Sequence, residues 1–242
     1  MMPPPLGHLH SIQVGRPQKY ESGADSTKPW TSAIEKHLLN GPVHVGKLNL
    51  AGDEQADLVH HGGPDKAVLA YALGHYAIWK QEIPDRQFSP GAFGENLTLA
   101  QVDEFNVCVG DIVRLGTCVL QVSQPRQPCW KLSRRWNLPK LAVEVQKTGR
   151  TGWYFRVLAE GEIEPGMPLE LEARPYPDFT IAWASSVMYA KPRNPREDLR
   201  LAQCPALSQS WQTTLLKRSQ GKGSVDDSLR LFGRGNDEQP QR

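Results

Sequence analysis

The amino-acid sequence predicts a mainly β fold with α: a closed β-barrel domain over residues 1–173, a small three-helix bundle over 174–219 and a disordered tail over 220–242. Three observations carry that expectation. Short extended runs, punctuated by glycine and proline, recur as far as Ala173 with few helical stretches between them. Helix-start chemistry then appears three times in close succession. Beyond Gln220 the chain turns rich in Gly, Ser and charge.

Taken in order, Pro42–Leu50 alternates in part and closes on the turn Ala51-Gly52-Asp53. Asp57–His61 reads as a short strand running into the sharp turn Gly62-Gly63-Pro64-Asp65. Asp65 can cap a helix from Lys66 to about Glu82, in which Val68, Tyr71, Ala72, His75, Ile78 and Trp79 keep helical spacing. Asn96–Leu99 is a strand, and Asp111–Ser123 splits at Gly116-Thr117 into a hairpin. Leu138–Lys147 reads as a helix, with Pro139 in its first turn and Gly149 just past its end. Thr151–Leu158 and Met167–Ala173 return to strand. The three helices of the bundle are Asp178–Ala190, Asn194–Gln203 and Ala206–Ser219, started by Asp178, Asn194-Pro195 and Pro205.

Composition excludes several classes. With 39% hydrophobic and 22% charged residues the chain can bury a core. A net charge of +2 argues against a nucleic-acid partner or an anionic membrane surface. No apolar run reaches the ~20 residues of a membrane span, and the start lacks secretory-signal chemistry, so a cytoplasmic location is expected. Cys108, Cys118, Cys129 and Cys204 form no C-x-x-C pair and suit neither a zinc ribbon nor an iron–sulfur cluster.

One segment stands out: Gln124-Pro125-Arg126-Gln127-Pro128-Cys129-Trp130-Lys131-Leu132. Two prolines stiffen the approach, and Cys129 arrives at the start of a helix. Unpaired N–H groups and partial positive charge there favour a thiolate. Arg126 and Lys131 add to that field. Such a thiolate suits a nucleophile or a soft-metal ligand, although a cysteine buried beside a buried tryptophan accounts for the residues equally well. His60-His61-Gly62-Gly63 comes second. Adjacent strand residues face opposite ways, so one metal cannot easily take both histidines; His61 can face a site, with Lys66 placed to meet an anion. A plain turn is the simpler account. The stretches Lys28–Lys36, Gly91–Thr98 and Gly149–Trp153 add hydroxyl, amide and guanidinium donors suited to a phosphate or a polar heterocycle.

These segments together resemble the MOSC-domain family (molybdenum cofactor sulfurase C-terminal domain). The pieces are WTSAIEK at 30–36, GDEQADLVHHGGPDKAVLAY at 52–71, GAFGENLT at 91–98, GDIVRLG at 110–116, QPRQPCWKL at 124–132 and GRTGWYFRVL at 149–158. They stand in family order across roughly residues 8–172, and the later helices resemble the family's three-helix extension. The resemblance implies a molybdenum cofactor (Mo-molybdopterin) whose metal Cys129 ligates. It also implies reduction of N-hydroxylated compounds, such as 6-N-hydroxylaminopurine to adenine, a detoxification of base analogues. Arg126, Lys66 and Arg150 are candidates for the cofactor phosphate. Asn96 and Thr31 are candidates for pterin or substrate contacts, as is His61, the first residue to test as proton donor.

No flavin, haem or iron–sulfur centre of the chain's own is expected, so electrons must come from an external reductase, a flavoprotein by class. The three helices could form its docking surface, complete the core or make a homodimer contact. Two rivals remain: a persulfide sulfur carrier using Cys129, and a DNA-binding role for the last helices. Asp178, Glu197 and Asp198 among their arginines count against the second.

Overall fold

The computed structural model describes residues 4–21, 29–57, 62–222 and 227–233. Strands β1 (Gly7–Val14), β2 (Gln18–Tyr20), β3 (Trp30–Ser32), β4 (His37–Leu39) and β5 (Val43–Val45) open the chain. A single 3-10 turn, Pro64–Lys66, leads into β6 (Val68–Ala72), α1 (Gly74–Glu82) and β7 (Leu97–Ala100). Then follow β8 (Ile112–Leu115), β9 (Cys118–Pro125), α2 (Trp130–Trp136), α3 (Leu141–Thr148), β10 (Trp153–Ala159), β11 (Gly161–Ile163) and β12 (Pro168–Ala173). Helices α4 (Ile181–Tyr189), α5 (Pro195–Ala202), α6 (Gln209–Ser219) and α7 (Ser228–Phe232) complete the described chain.

Seven strands close a barrel in the order β12-β8-β9-β10-β6-β7-β1, with β1 pairing back to β12 and β4 added outside β1. All neighbours are antiparallel except β6 and β7. Closure removes the open edges that a sheet of this size would otherwise expose. Strand alternation fills the interior: Leu120 and Val122 of β9, and Trp153, Phe155 and Val157 of β10, belong to one buried cluster.

The helix expected from Lys66 to Glu82 is a correction. Its first half is β6, in which all five residues are buried, and only Gly74–Glu82 is helical. Val-Leu-Ala-Tyr-Ala is buried on both faces because Val68 and Ala70 join the barrel core while Tyr71 packs in a second cluster with Trp79 of α1 and Phe93. A short apolar run of that kind carries helical spacing by accident. Asp57 lies outside any strand, and the rest of the expected Asp57–His61 strand, including His60 and His61, lies outside the described residues. The hairpin split at Gly116-Thr117 and the α3 stop at Gly149 agree with expectation.

The helical extension is part of the same core: Ile181, Leu201, Trp211 and Leu215 join the barrel's buried cluster. Two of its starts differ from expectation. Thr180 rather than Asp178 caps α4, accepting from the Trp183 N–H, and Ser208 rather than Pro205 caps α6, accepting from the Trp211 N–H. Asn194 caps α5 as expected. The expected disordered tail also needs correction over 227–233, where α7 forms and buries Leu231.

Candidate functional site

The Cys129 loop leaves β9 at Pro125 and enters α2, with Cys129 in an extended conformation as the residue preceding the helix. The loop is tied to the barrel by the Arg126 N–H, which donates to the Gly152 carbonyl at 3.0 Å. Gly152 also lets β6 run close by: at φ +74°, a Cβ there would sit 2.2 Å from the Ala70 carbonyl oxygen.

Cys129 borders a cavity that opens to solvent. Its lining draws on distant parts of the chain: Ser32–Ile34 and Lys36, residues 53–57, Lys66 and Leu69, Phe93, Gly94 and Asn96, then Arg126, Gln127, Cys129, Lys131 and Tyr154. Its floor is the outer face of the barrel wall. Leu69 and Tyr154 pair across β6 and β10 and line the cavity, while their neighbours Val68, Ala70, Trp153 and Phe155 fill the core.

Two buried networks set the rim. Glu95 is fully buried and accepts from the Gly91 N–H at 2.6 Å, the Phe93 N–H at 3.1 Å, the Thr98 hydroxyl at 3.2 Å and the Tyr76 hydroxyl. It thereby shapes the Gly91–Asn96 loop. Arg135 of α2 donates to the carbonyls of Ile34, Gly91 and Ala92 at 2.8–2.9 Å, fastening two lining segments to the helix that follows Cys129.

Cations collect beside the thiol. Arg126 is 6% exposed; its Nη2 donates to the Phe93 carbonyl at 2.9 Å, but its Nη1 has no hydrogen-bond partner among the described residues. Burial lowers the Lys66 pKa, against the opposing pull of Asp57 and Asp65. Lys36 also lines the cavity, but it is already held by Asp53, whose carboxylate also accepts the Gly15 N–H at 2.7 Å.

The structure therefore brings Cys129, Arg126, Lys66 and Asn96 to one cavity and leaves two other candidates elsewhere. Thr31 is exposed on β3, where Ser32, its neighbour on the opposite face, takes the lining position. Arg150 does not line the cavity; its guanidinium stacks 3.9 Å over Trp79 and pairs with Glu82 at 2.6 Å. Asn96 lines the cavity, yet its amide bridges strands, accepting the Leu69 N–H at 3.1 Å and donating to the Gln13 carbonyl at 3.3 Å. His61 lies outside the described residues. Sequence reasoning missed Tyr154. Burial raises its phenol pKa, with Arg126 opposing and Cys129 adding to the rise. The alternation Trp-Tyr-Phe-Arg at 153–156 was the available signal, since it places Tyr154 on the outer face that carries the cavity.

Among the described residues no group of three or more His, Cys, Asp or Glu side chains is arranged to hold a metal. A metal at Cys129 would thus depend on ligands arriving with a cofactor. The lining fits such a group: a thiol, a buried guanidinium nitrogen with unused donor capacity and two further lysines suit a soft metal and an anion held together. Among the described residues no helix is long and apolar enough to cross a membrane.

Comparison with known proteins finds the same two parts, a barrel domain followed by a helical extension. The MOSC domain model matches residues 57–170, and the model of a YiiM-like 3-alpha helix domain matches residues 180–220. Protein YiiM of Escherichia coli is 39% identical over 225 residues, covering 92% of this chain and 97% of YiiM. The chain belongs to the MOSC-domain family. The crystal structure of YiiM from Geobacillus stearothermophilus superposes with a TM-score of 0.74 at 40% identity, covering 88% of this chain and 99% of that one. A protein of Gibberella moniliformis named Reductase is 39% identical over 207 residues; they make up 84% of this chain but 36% of that protein.

Proposed function

We propose that the chain is a molybdenum-cofactor-dependent reductase of N-hydroxylated bases and that Cys129 is its protein ligand to the metal. The observation that carries this reading is the cavity itself, whose lining brings together Cys129 and Arg126, a buried arginine whose Nη1 has no hydrogen-bond partner among the described residues. Family membership and the name of the fungal relative support it.

When bound, the cofactor supplies a molybdenum able to take the oxygen of an N–O bond, and the protein's work is to hold and orient. Cys129 completes a soft donor set from a proline-stiffened loop. Arg126, Lys66 and Lys131 offer charge-assisted donors to the cofactor's phosphate. Tyr154 and Leu69 give the floor an apolar face on which a planar heterocycle can lie. The overall conversion takes an N-hydroxylamine, two electrons and two protons to an amine and water. The electrons come from a separate reductase, a flavoprotein by class.

The decisive comparison is wild type against Cys129→Ser, expressed in a cofactor-replete host, with molybdenum measured per chain and 6-N-hydroxylaminopurine reduction assayed with an artificial electron donor. Wild type is expected to hold stoichiometric metal and turn over; the variant loses both. Equal metal and equal activity in the two proteins would refute the assignment. A cyanolysable sulfur without metal would favour the persulfide carrier instead.

A further inference from the structure

Helix α7 lies far along the chain from the cavity loop, yet it grips both neighbours of Cys129. On one side, Nη1 of Arg230 donates to the Pro128 carbonyl. The same guanidinium is braced through Nη2, which donates to Gln146 Oε1 of α3 at 2.6 Å and to Asp227 at 2.7 Å, and it lies 5.7 Å from the Tyr189 ring of α4. On the other side, Gly233 sits on the indole of Trp130. A Cβ at Gly233 would lie 3.3 Å from Trp130 Cγ and Cδ2 and 3.4 Å from Cδ1, so the backbone there covers the ring face. Leu231 anchors the segment at 7% exposure.

The loop has reason to need an outside hold. No side-chain hydrogen bond caps the N-terminus of α2, so contacts from other elements add to the backbone hold on the loop there. A sulfur that must meet a metal needs placement to within about 0.5 Å, which only locked neighbours provide.

We infer that residues 227–233 are a positioning strap for Cys129, with Arg230 the positioning residue that sets the sulfur toward the cavity. The catalytic consequence rests on Cys129 being the metal ligand; the positional claim does not. A donor pair of this kind, acting through the residue before a ligand, is expected to change metal retention by about tenfold to a hundredfold.

The test uses the full chain as wild type, Arg230→Ala, Arg230→Lys and Gly233→Val, with Phe232→Ala on the exposed face of α7 as control. In metal-free protein, the iodoacetamide alkylation rate of each cysteine is followed across pH by peptide mass spectrometry. Molybdenum per chain is then measured in loaded protein. Expected for Arg230→Ala and Gly233→Val are faster alkylation with a shifted pH profile at Cys129 alone, and about tenfold weaker metal retention. Arg230→Lys recovers part of both, and Phe232→Ala behaves as wild type. Unchanged Cys129 kinetics in both strap variants would overturn the inference. So would simultaneous exposure of Cys108, Cys118 and Cys204, because Arg230 would then hold the fold and not the sulfur. A wild type that binds no molybdenum while Cys129 alkylation still answers to Arg230 would sink the cofactor reading and leave the strap standing.

Discussion

Two arginines, one in the barrel and one in the helical extension, are buried to the same degree and put to opposite uses. Arg218 of α6 is 5% exposed; it faces Asp198 of α5 at 2.9 Å and donates to the Met188 and Val187 carbonyls of α4 at 2.7 and 3.2 Å. Arg126, which lines the cavity, is 6% exposed and has no hydrogen-bond partner for its Nη1 among the described residues. A buried cation answered by its own chain knits helices together. One that lines a cavity and spends a single hydrogen bond on a carbonyl of its own chain is placed to meet a ligand.

The comparison breaks most visibly at Arg218. Arg218→Ala leaves the Asp198 carboxylate buried without its cation, a loss of about 3–5 kcal/mol. For a chain of this length that lowers Tm by roughly 10 °C in a thermal melt. Turnover per folded molecule should stay at the wild-type level.

Arg126→Met should show the reverse pattern. Losing one hydrogen bond to the Phe93 carbonyl costs about 1 kcal/mol, while cofactor retention and N-hydroxylamine reduction fall about tenfold to a hundredfold. A variant as unstable as Arg218→Ala but fully loaded would erase the distinction.

The smallest effect is a pH slope. Burial holds the Asp198 carboxyl above its ordinary value of 3.8, outweighing the pull of Arg218. The folded state therefore binds that proton more tightly than the unfolded chain. This site's contribution to stability rises as pH falls through the raised value and levels off below 3.8. Denaturant midpoints of wild type and Asp198→Asn across that window should differ by a slope of this sign; parallel curves would show that the carboxyl titrates normally.

Much of this was legible in the residues. Gly116-Thr117 between β-branched runs marked a hairpin, Gly149 marked the end of α3, and Asn194-Pro195 marked the start of α5, because each is local backbone chemistry. That Cys129 precedes a helix was legible too, since prolines and helix-start chemistry surround it in sequence. What failed was set at long range. β6 was mistaken for helix because its two faces are buried by separate clusters, the barrel core on one side and Trp79 and Phe93 on the other. Arg150 looked like a phosphate donor until Trp79 and Glu82 claimed it. Helix α7 escaped notice because five residues with a single buried leucine give no periodicity to read.

Asp65 carries a consequence of its own. One of its oxygens accepts twice from the Arg156 guanidinium of β10, at 3.0 and 2.7 Å, and the other accepts the Gln209 N–H where α6 begins, at 3.0 Å. It also stands next to Lys66 in the cavity wall. A chimera that exchanged this helical extension for a relative's would have to keep that junction, or the graft would disturb the wall it was meant to leave alone.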